Sequence, residues 1–134
     1  MNAALPSAIS QVILVVEDED IVRILVLEYL KEAGFEVIGA IHVAHALAVI
    51  DETERIDAVF TDINMPGEMD GHALAGWLQQ HWPDVPVLLT SGVDKPAIGS
   101  SGKHRRFIPK PYALPEVERH IRVRPSRSYR SSIH

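Results

Sequence analysis

Short β-branched runs alternate with helix-spaced apolar residues along most of the chain, and this rhythm leaves few folds open. The first run, Val12–Val16 (VILVV), has no polar break, which marks a strand buried on both faces rather than one with a wet side. Residues 21–33 then place Ile21, Ile24, Leu25, Val26, Leu27, Leu30 and Ala33 at three- and four-residue spacing, with Gly34 where a helix stops. The pattern recurs as a strand over 35–41, a helix over 44–50, a strand over 58–61, a helix over 72–82 closed by Pro83, and a fourth strand over 87–90. Strands alternating with helices require parallel pairing, right-handed crossovers and helices on both faces of the sheet. The expected class is α/β, a doubly wound five-stranded parallel sheet.

Past Ser91 the rhythm weakens. Residues 93–105 hold Pro96, Gly99, Ser100, Ser101 and Gly102, with only Ala97 and Ile98 as apolar anchors, so the helix between the fourth and fifth strands is expected to be short or irregular. Residues 106–109 read as the fifth strand. Pro115 suits the first turn of a last helix running to about residue 123, and Pro125 ends it.

A length of 134 residues predicts one domain: a short extension over 1–10, a folded body over 11–123, and a basic flexible tail over 124–134. Hydrophobic residues at 46% are enough to bury a core, and charged residues at 23% are too balanced for disorder throughout. The absence of cysteine excludes disulfides, thiolate nucleophiles and Cys-ligated metals. No apolar stretch reaches the roughly 18 residues of a membrane span, and residues 1–11 lack a leader pattern, so a cytoplasmic location is expected. The net charge is −5, yet Arg119, Arg122, Arg124, Arg127 and Arg130 fall in a C-terminal stretch without acids. With no nucleic-acid motif beside them they read as a solvated tail, and neither nucleic acid nor membrane is expected as a partner. The seven histidines are scattered, and His42 with His45, at helical spacing without a third ligand, read as a solvated helix face.

In an open parallel sheet the site lies outside the carboxyl ends of the strands. Those ends carry Glu17 and Asp18 after strand one, Asp62 at strand three, Ser91 at strand four and Lys110 at strand five. Three carboxylates brought together repel, by about 1 kcal/mol per pair at 4 Å in water and about 4 kcal/mol at an effective dielectric of 20. Convergence therefore implies a cation, and oxygen-only ligands imply a hard divalent one, Mg²⁺ before Ca²⁺ where waters and a phosphate oxygen share the shell. Lys110 supplies a point charge and Ser91 a hydroxyl for a phosphoryl group landing on an aspartate. Glu19 and Asp20 are expected to start the first helix, where acids favour the positive end of its dipole.

These residues resemble the receiver domains of two-component response regulators over roughly residues 11–123. The resemblance implies a flavodoxin-like sheet of order 2-1-3-4-5. It implies that Asp62, in Asp62-Ile63-Asn64-Met65-Pro66, is the phosphoacceptor, and that Glu17, Asp18, Asp62 and the backbone carbonyl of Asn64 hold Mg²⁺, with Mn²⁺ as a substitute. Ser91, followed by Gly92, matches the hydroxyl residue that moves toward the phosphate; Lys110-Pro111 matches the lysine and a proline whose bond is often cis; Phe107 matches the aromatic switch. The function implied is that of a single-domain response regulator, not an enzyme, which takes a phosphoryl group from a sensor histidine kinase or histidine phosphotransfer protein and signals to a downstream protein.

Three departures stand beside the match. The run Pro66-Gly67-Glu68-Met69-Asp70-Gly71 has one residue more than the commonest pattern, the segment after Ser91 looks shortened, and Glu17 stands where Asp is common. Two rivals are a degenerate receiver that acts without phosphorylation, which should lack an acid or the lysine, and an aspartate-nucleophile phosphohydrolase, which needs an acid where Asn64 stands.

Overall fold

Strands that open on unbroken apolar runs take the middle of the sheet, and strands that open on charged residues take its edges. The computed structural model describes residues 10–65, 70–92 and 105–122. They form β1 (Val12–Val16), α1 (Asp20–Glu32), β2 (Glu36–Ala40), α2 (Val43–Glu52), β3 (Ala58–Asp62), α3 (Gly71–His81), β4 (Val87–Ser91), β5 (Arg105–Pro109) and α4 (Leu114–Arg122). All pairings are parallel and the order is β2-β1-β3-β4-β5. Every residue of β1, β3 and β4 is buried, whereas β2 and β5 bury one residue each, Ala40 and Ile108. The expected flavodoxin-like, doubly wound sheet is present.

Strand alternation divides the core in two. Leu14, Val16, Val59 and Leu89 face α2 and α3 and pack with Val43, Ala46, Leu74 and Leu78. Ile13, Val15, Phe60, Leu88 and Ile108 face α1 and α4 and pack with Val26, Leu30, Val117 and Ile121. Element ends differ from the sequence reading by a residue or two. Phe35, for instance, donates its N–H to Leu30 O in the exit from α1 instead of joining β2. The helix expected within residues 93–105 falls largely outside the described residues, as do residues 1–9 and the tail beyond 122.

Helix α1 starts as expected, with Glu19 as its N-cap residue and Asp20 in the first turn, and it exits through Gly34 at φ 105°. Its burial is less expected. Only Val26 and Leu30 are fully buried, while Ile21, Ile24 and Leu25 are 73%, 51% and 56% exposed. Apolar residues round more of a helix than a single sheet can cover leave some in solvent. His42 and His45 add a cap to this solvated end of α2: His42 Nδ1 accepts the His45 N–H at 3.0 Å, and His45 Nδ1 accepts the Ile41 N–H at 3.1 Å. At α3, Asp70 Oδ1 accepts the His72 and Ala73 N–H groups, each at 3.1 Å.

Candidate functional site

Parallel strands in register deliver their last residues to one rim. Glu17 N donates to Ala40 O as β1 ends, Ile63 N to Thr90 O past β3, and Lys110 N to Ser91 O past β5. The side chains that follow these bonds are fixed by backbone pairing before any contact of their own. Ligand oxygens of Glu17, Asp18 and Asp62 lie within 4.8 Å of one another. Glu17 and Asp62 are each 4% exposed, while Asp18 opens to solvent.

Asp62 is held through both oxygens. Oδ1 accepts the Asn64 N–H at 2.9 Å, and Oδ2 accepts Lys110 Nζ at 2.7 Å. Burial pushes the Glu17 carboxyl above its ordinary value; the Glu19 N–H on Oε2 at 3.0 Å and the Lys110 charge oppose this, and the Asp62 and Asp18 charges reinforce it. Burial alone would lower the Lys110 ammonium, but its hydrogen bond to Asp62 and the charges of Asp62 and Glu17 leave it raised. The Tyr112 hydroxyl is pushed up to about 12 by burial and then by Glu17. Among the described residues, one ammonium thus faces three carboxylates. All the ligand atoms are oxygens, one carboxylate is open to water, and the negative charge exceeds the positive, which fits a hard divalent cation such as Mg²⁺.

The sequence-predicted residues Glu17, Asp18, Asp62, Asn64, Ser91 and Lys110 meet on this rim, with Gly92 beside Lys110: a Cβ placed on Gly92 would sit 3.7 Å from Lys110 Cδ. The Lys110–Pro111 bond is cis. Phe107 is half-buried against the core on the α2 and α3 side. Ser91 Oγ donates to Asn64 Oδ1 at 2.6 Å, a partner that strand-end placement does not specify.

Other residues escaped the sequence reading. Arg23 Nη1 donates to the Glu17 carbonyl at 3.0 Å while Nη2 pairs with Asp20 at 2.7 Å, so one guanidinium ties the acidic turn to the first turn of α1. Its spacing of three from Asp20 was the available signal. Tyr112 packs edge-on against Phe60, ring centroids 5.4 Å apart. The exposed Ile21, Ile24 and Leu25 begin three residues beyond Asp18 and form an uncovered apolar face next to the rim.

Sheet order and rim geometry together define a flavodoxin-like domain whose strand ends gather three carboxylates and a lysine. The sequence profile of the response regulator receiver domain matches residues 13–122, and the chain belongs to that family. Receiver domains are signalling modules of two-component systems. Among relatives, the sensor kinase CckA of Brucella abortus is 33% identical over 112 residues, which cover 81% of this chain and 12% of that protein. A response regulator receiver protein from Sinorhizobium medicae has 26% identity and a TM-score of 0.77, covering 84% of this chain and 91% of that one. The response regulator TrrA of Thermotoga maritima, solved in complex with Mg(2+)-BeF, has 27% identity and a TM-score of 0.74 over 83% of this chain and 96% of that one. The chain spans between 12% and 48% of the length of curated relatives such as CckA and PrrA. Among the described residues no helix is long and apolar enough to cross a membrane.

Proposed function

We propose that Asp62 accepts a phosphoryl group from a phosphohistidine of a sensor histidine kinase or histidine phosphotransfer protein, and that the resulting acyl phosphate signals to a partner protein. The observation that carries this reading is a buried aspartate bonded to Lys110 at 2.7 Å inside a cluster of three carboxylates at the strand ends. A carboxylate oxygen of Asp62 forms the new P–O bond as the donor's P–N bond breaks. The electron pair of that bond returns to the imidazole nitrogen, and the negative charge of the transferred group remains on its oxygens. Such chemistry is mostly positioning and charge neutralisation, which fixed groups perform without reorganisation.

Glu17, Asp18, Asp62 and the Asn64 carbonyl are the residues that would hold Mg²⁺, or Mn²⁺ in its place. When bound, the cation supplies positive charge to the phosphoryl oxygens and offsets the repulsion among the acids. Lys110 neutralises one further oxygen, Ser91 donates a hydrogen bond to another after leaving Asn64, and Gly92 leaves the approach to Lys110 open. Phe107, half-buried at the edge strand, is the residue placed to carry the change outward. The complex of TrrA with Mg(2+)-BeF supports the cation and the phosphoryl-like ligand. The apolar face of Ile21, Ile24 and Leu25 beside Asp18 is the surface offered to the phosphodonor protein. The phosphohydrolase rival is disfavoured because the position that would need a general acid is an amide, Asn64.

Intact mass after treatment with acetyl phosphate and Mg²⁺ tests the reading. One phosphoryl adduct is expected, labile to hydroxylamine and absent from Asp62→Ala. An adduct of the same size in Asp62→Ala overturns the assignment.

A further inference from the structure

The resting position of the Ser91 hydroxyl carries an inference that rests on the phosphoacceptor reading and extends it. Ser91 is 1% exposed, and its Oγ donates to Asn64 Oδ1 at 2.6 Å, at the short end for a hydrogen bond between oxygens. A serine hydroxyl has one proton to donate. It can serve the amide oxygen of Asn64 or an oxygen of a group on Asp62, but not both. The backbone offers no freedom to change this, since Lys110 N bonds Ser91 O and Ile63 N bonds Thr90 O on either side, so redirection needs rotation of the side chain. Asn64 is tied from its other end to the acceptor itself: its N–H donates to Asp62 Oδ1 at 2.9 Å. Two bonds therefore run from the carboxylate of Asp62 through Asn64 to the hydroxyl of Ser91. Converting that carboxylate to an acyl phosphate removes charge from the oxygen that holds Asn64, and a hydrogen bond to a neutral acceptor is weaker than one to an ion.

We propose that the side-chain amide of Asn64 is a latch: it holds the Ser91 hydroxyl away from the phosphoryl site in the resting protein, and chemistry at Asp62 releases it. This role belongs to the Asn64 side chain and is separate from any use of its backbone carbonyl. Asn64 is a positioning residue in this scheme, acting on the reaction through Ser91. Its side chain is exposed, so truncation leaves no buried cavity.

The latch opposes the liganded state by the net worth of one hydrogen bond, which corresponds to roughly 2- to 10-fold in an equilibrium constant. Beryllofluoride with Mg²⁺ is the probe, titrated by calorimetry into the parent, Asn64→Ala, Ser91→Ala and the double variant. Asn64→Ala is expected to bind roughly 2- to 10-fold tighter than the parent, and to make no difference in the Ser91→Ala background. Weaker binding by Asn64→Ala, or an equal gain with Ser91→Ala, overturns the latch. Urea denaturation of the same four proteins without ligand completes the cycle: positions 64 and 91 should be coupled, and the coupling should persist in Asn64→Asp, which keeps an oxygen in place. Additive losses overturn the proposal even where beryllofluoride binds. A parent that binds no beryllofluoride, with 64 and 91 still coupled, overturns the phosphoacceptor reading and with it the purpose of the latch, while leaving the bond itself established.

Discussion

Both ends of the sheet bury carboxylates, and they treat them in opposite ways. At the amino ends of the strands Asp57 is 4% exposed, and the protein surrounds it with donors: the Val12 N–H at 2.7 Å and the Arg55 guanidinium at 2.9 and 3.2 Å, with Arg55 anchored in turn on the Ser10 carbonyl. At the carboxyl ends Asp62 is equally buried but shares its space with Glu17 and Asp18 and with one lysine. The same functional group at the same burial is a clasp at one end and a site at the other. Burial alone does not separate the two; the charge count around the group does.

The sharpest break in this comparison is Asp57→Ala, which leaves the Val12 N–H buried and Arg55 without its carboxylate. A loss of about 3 kcal/mol in urea denaturation is expected, and a loss below about 0.5 kcal/mol would show that the clasp does not stabilise the fold. At the other end the sign reverses. In EDTA, Asp18→Ala should gain about 0.5 to 1 kcal/mol by relieving repulsion, and its stabilisation by Mg²⁺ should shrink. Asp62→Ala should gain less, because it also removes the partner of Lys110. If Asp18→Ala unfolds earlier than the parent in EDTA, the acids are not in mutual repulsion.

The pH dependence sharpens the same point. The Glu17 carboxyl is raised in the folded state, so the native protein binds more protons than the unfolded chain between the ordinary carboxylate value and the raised one. This group therefore weakens the fold above that window and less so as pH falls through it. The stability advantage of Glu17→Gln over the parent should be greatest at pH 7 and diminish toward pH 4.5. An advantage that is flat across that range, followed by denaturation at each pH, contradicts the shift. The smallest effect on stability is expected at Ile24→Ser, within about 0.5 kcal/mol of the parent, because the side chain already lies in solvent. If the apolar face serves the donor protein, phosphotransfer from that protein should slow while acceptance from acetyl phosphate stays unchanged.

Much of the fold was legible because strands buried on both faces are written as largely apolar runs: β1, β3 and β4 were read from VILVV, AVFT and VLLT almost to the residue. The gathering of Glu17, Asp18, Asp62 and Lys110 was legible for the same reason, since strand ends in a parallel sheet share a rim. What stayed hidden depends on contacts that spacing does not encode. Apolar periodicity along α1 could not say that Ile21, Ile24 and Leu25 would remain outside, because the width of the sheet beneath decides that. Asp57 was passed over as one acid among several in residues 51–57, because one of its partners is a backbone N–H 45 residues away and the nearby Arg55 reads equally well as solvated. Ser91 was read onto this rim, but its hydrogen bond to Asn64 was not, because a rotamer choice lies below the resolution of a pattern.

Gly71 carries a consequence for how this domain tolerates change. Its N–H donates to Ile63 O at 3.1 Å, and a Cβ there would collide with the carbonyl oxygen of Asp62 and lie 2.7 Å from Ile63 Cα. The start of α3 and the end of β3 thus touch backbone to backbone, which pins both ends of the connection between them. Adding one residue to a loop of this size costs roughly 0.1 kcal/mol in closure entropy. The additional residue between Pro66 and Asp70 is therefore expected to be nearly neutral for the fold, because the backbone contact at Gly71 holds the strand end that carries Asp62 in place.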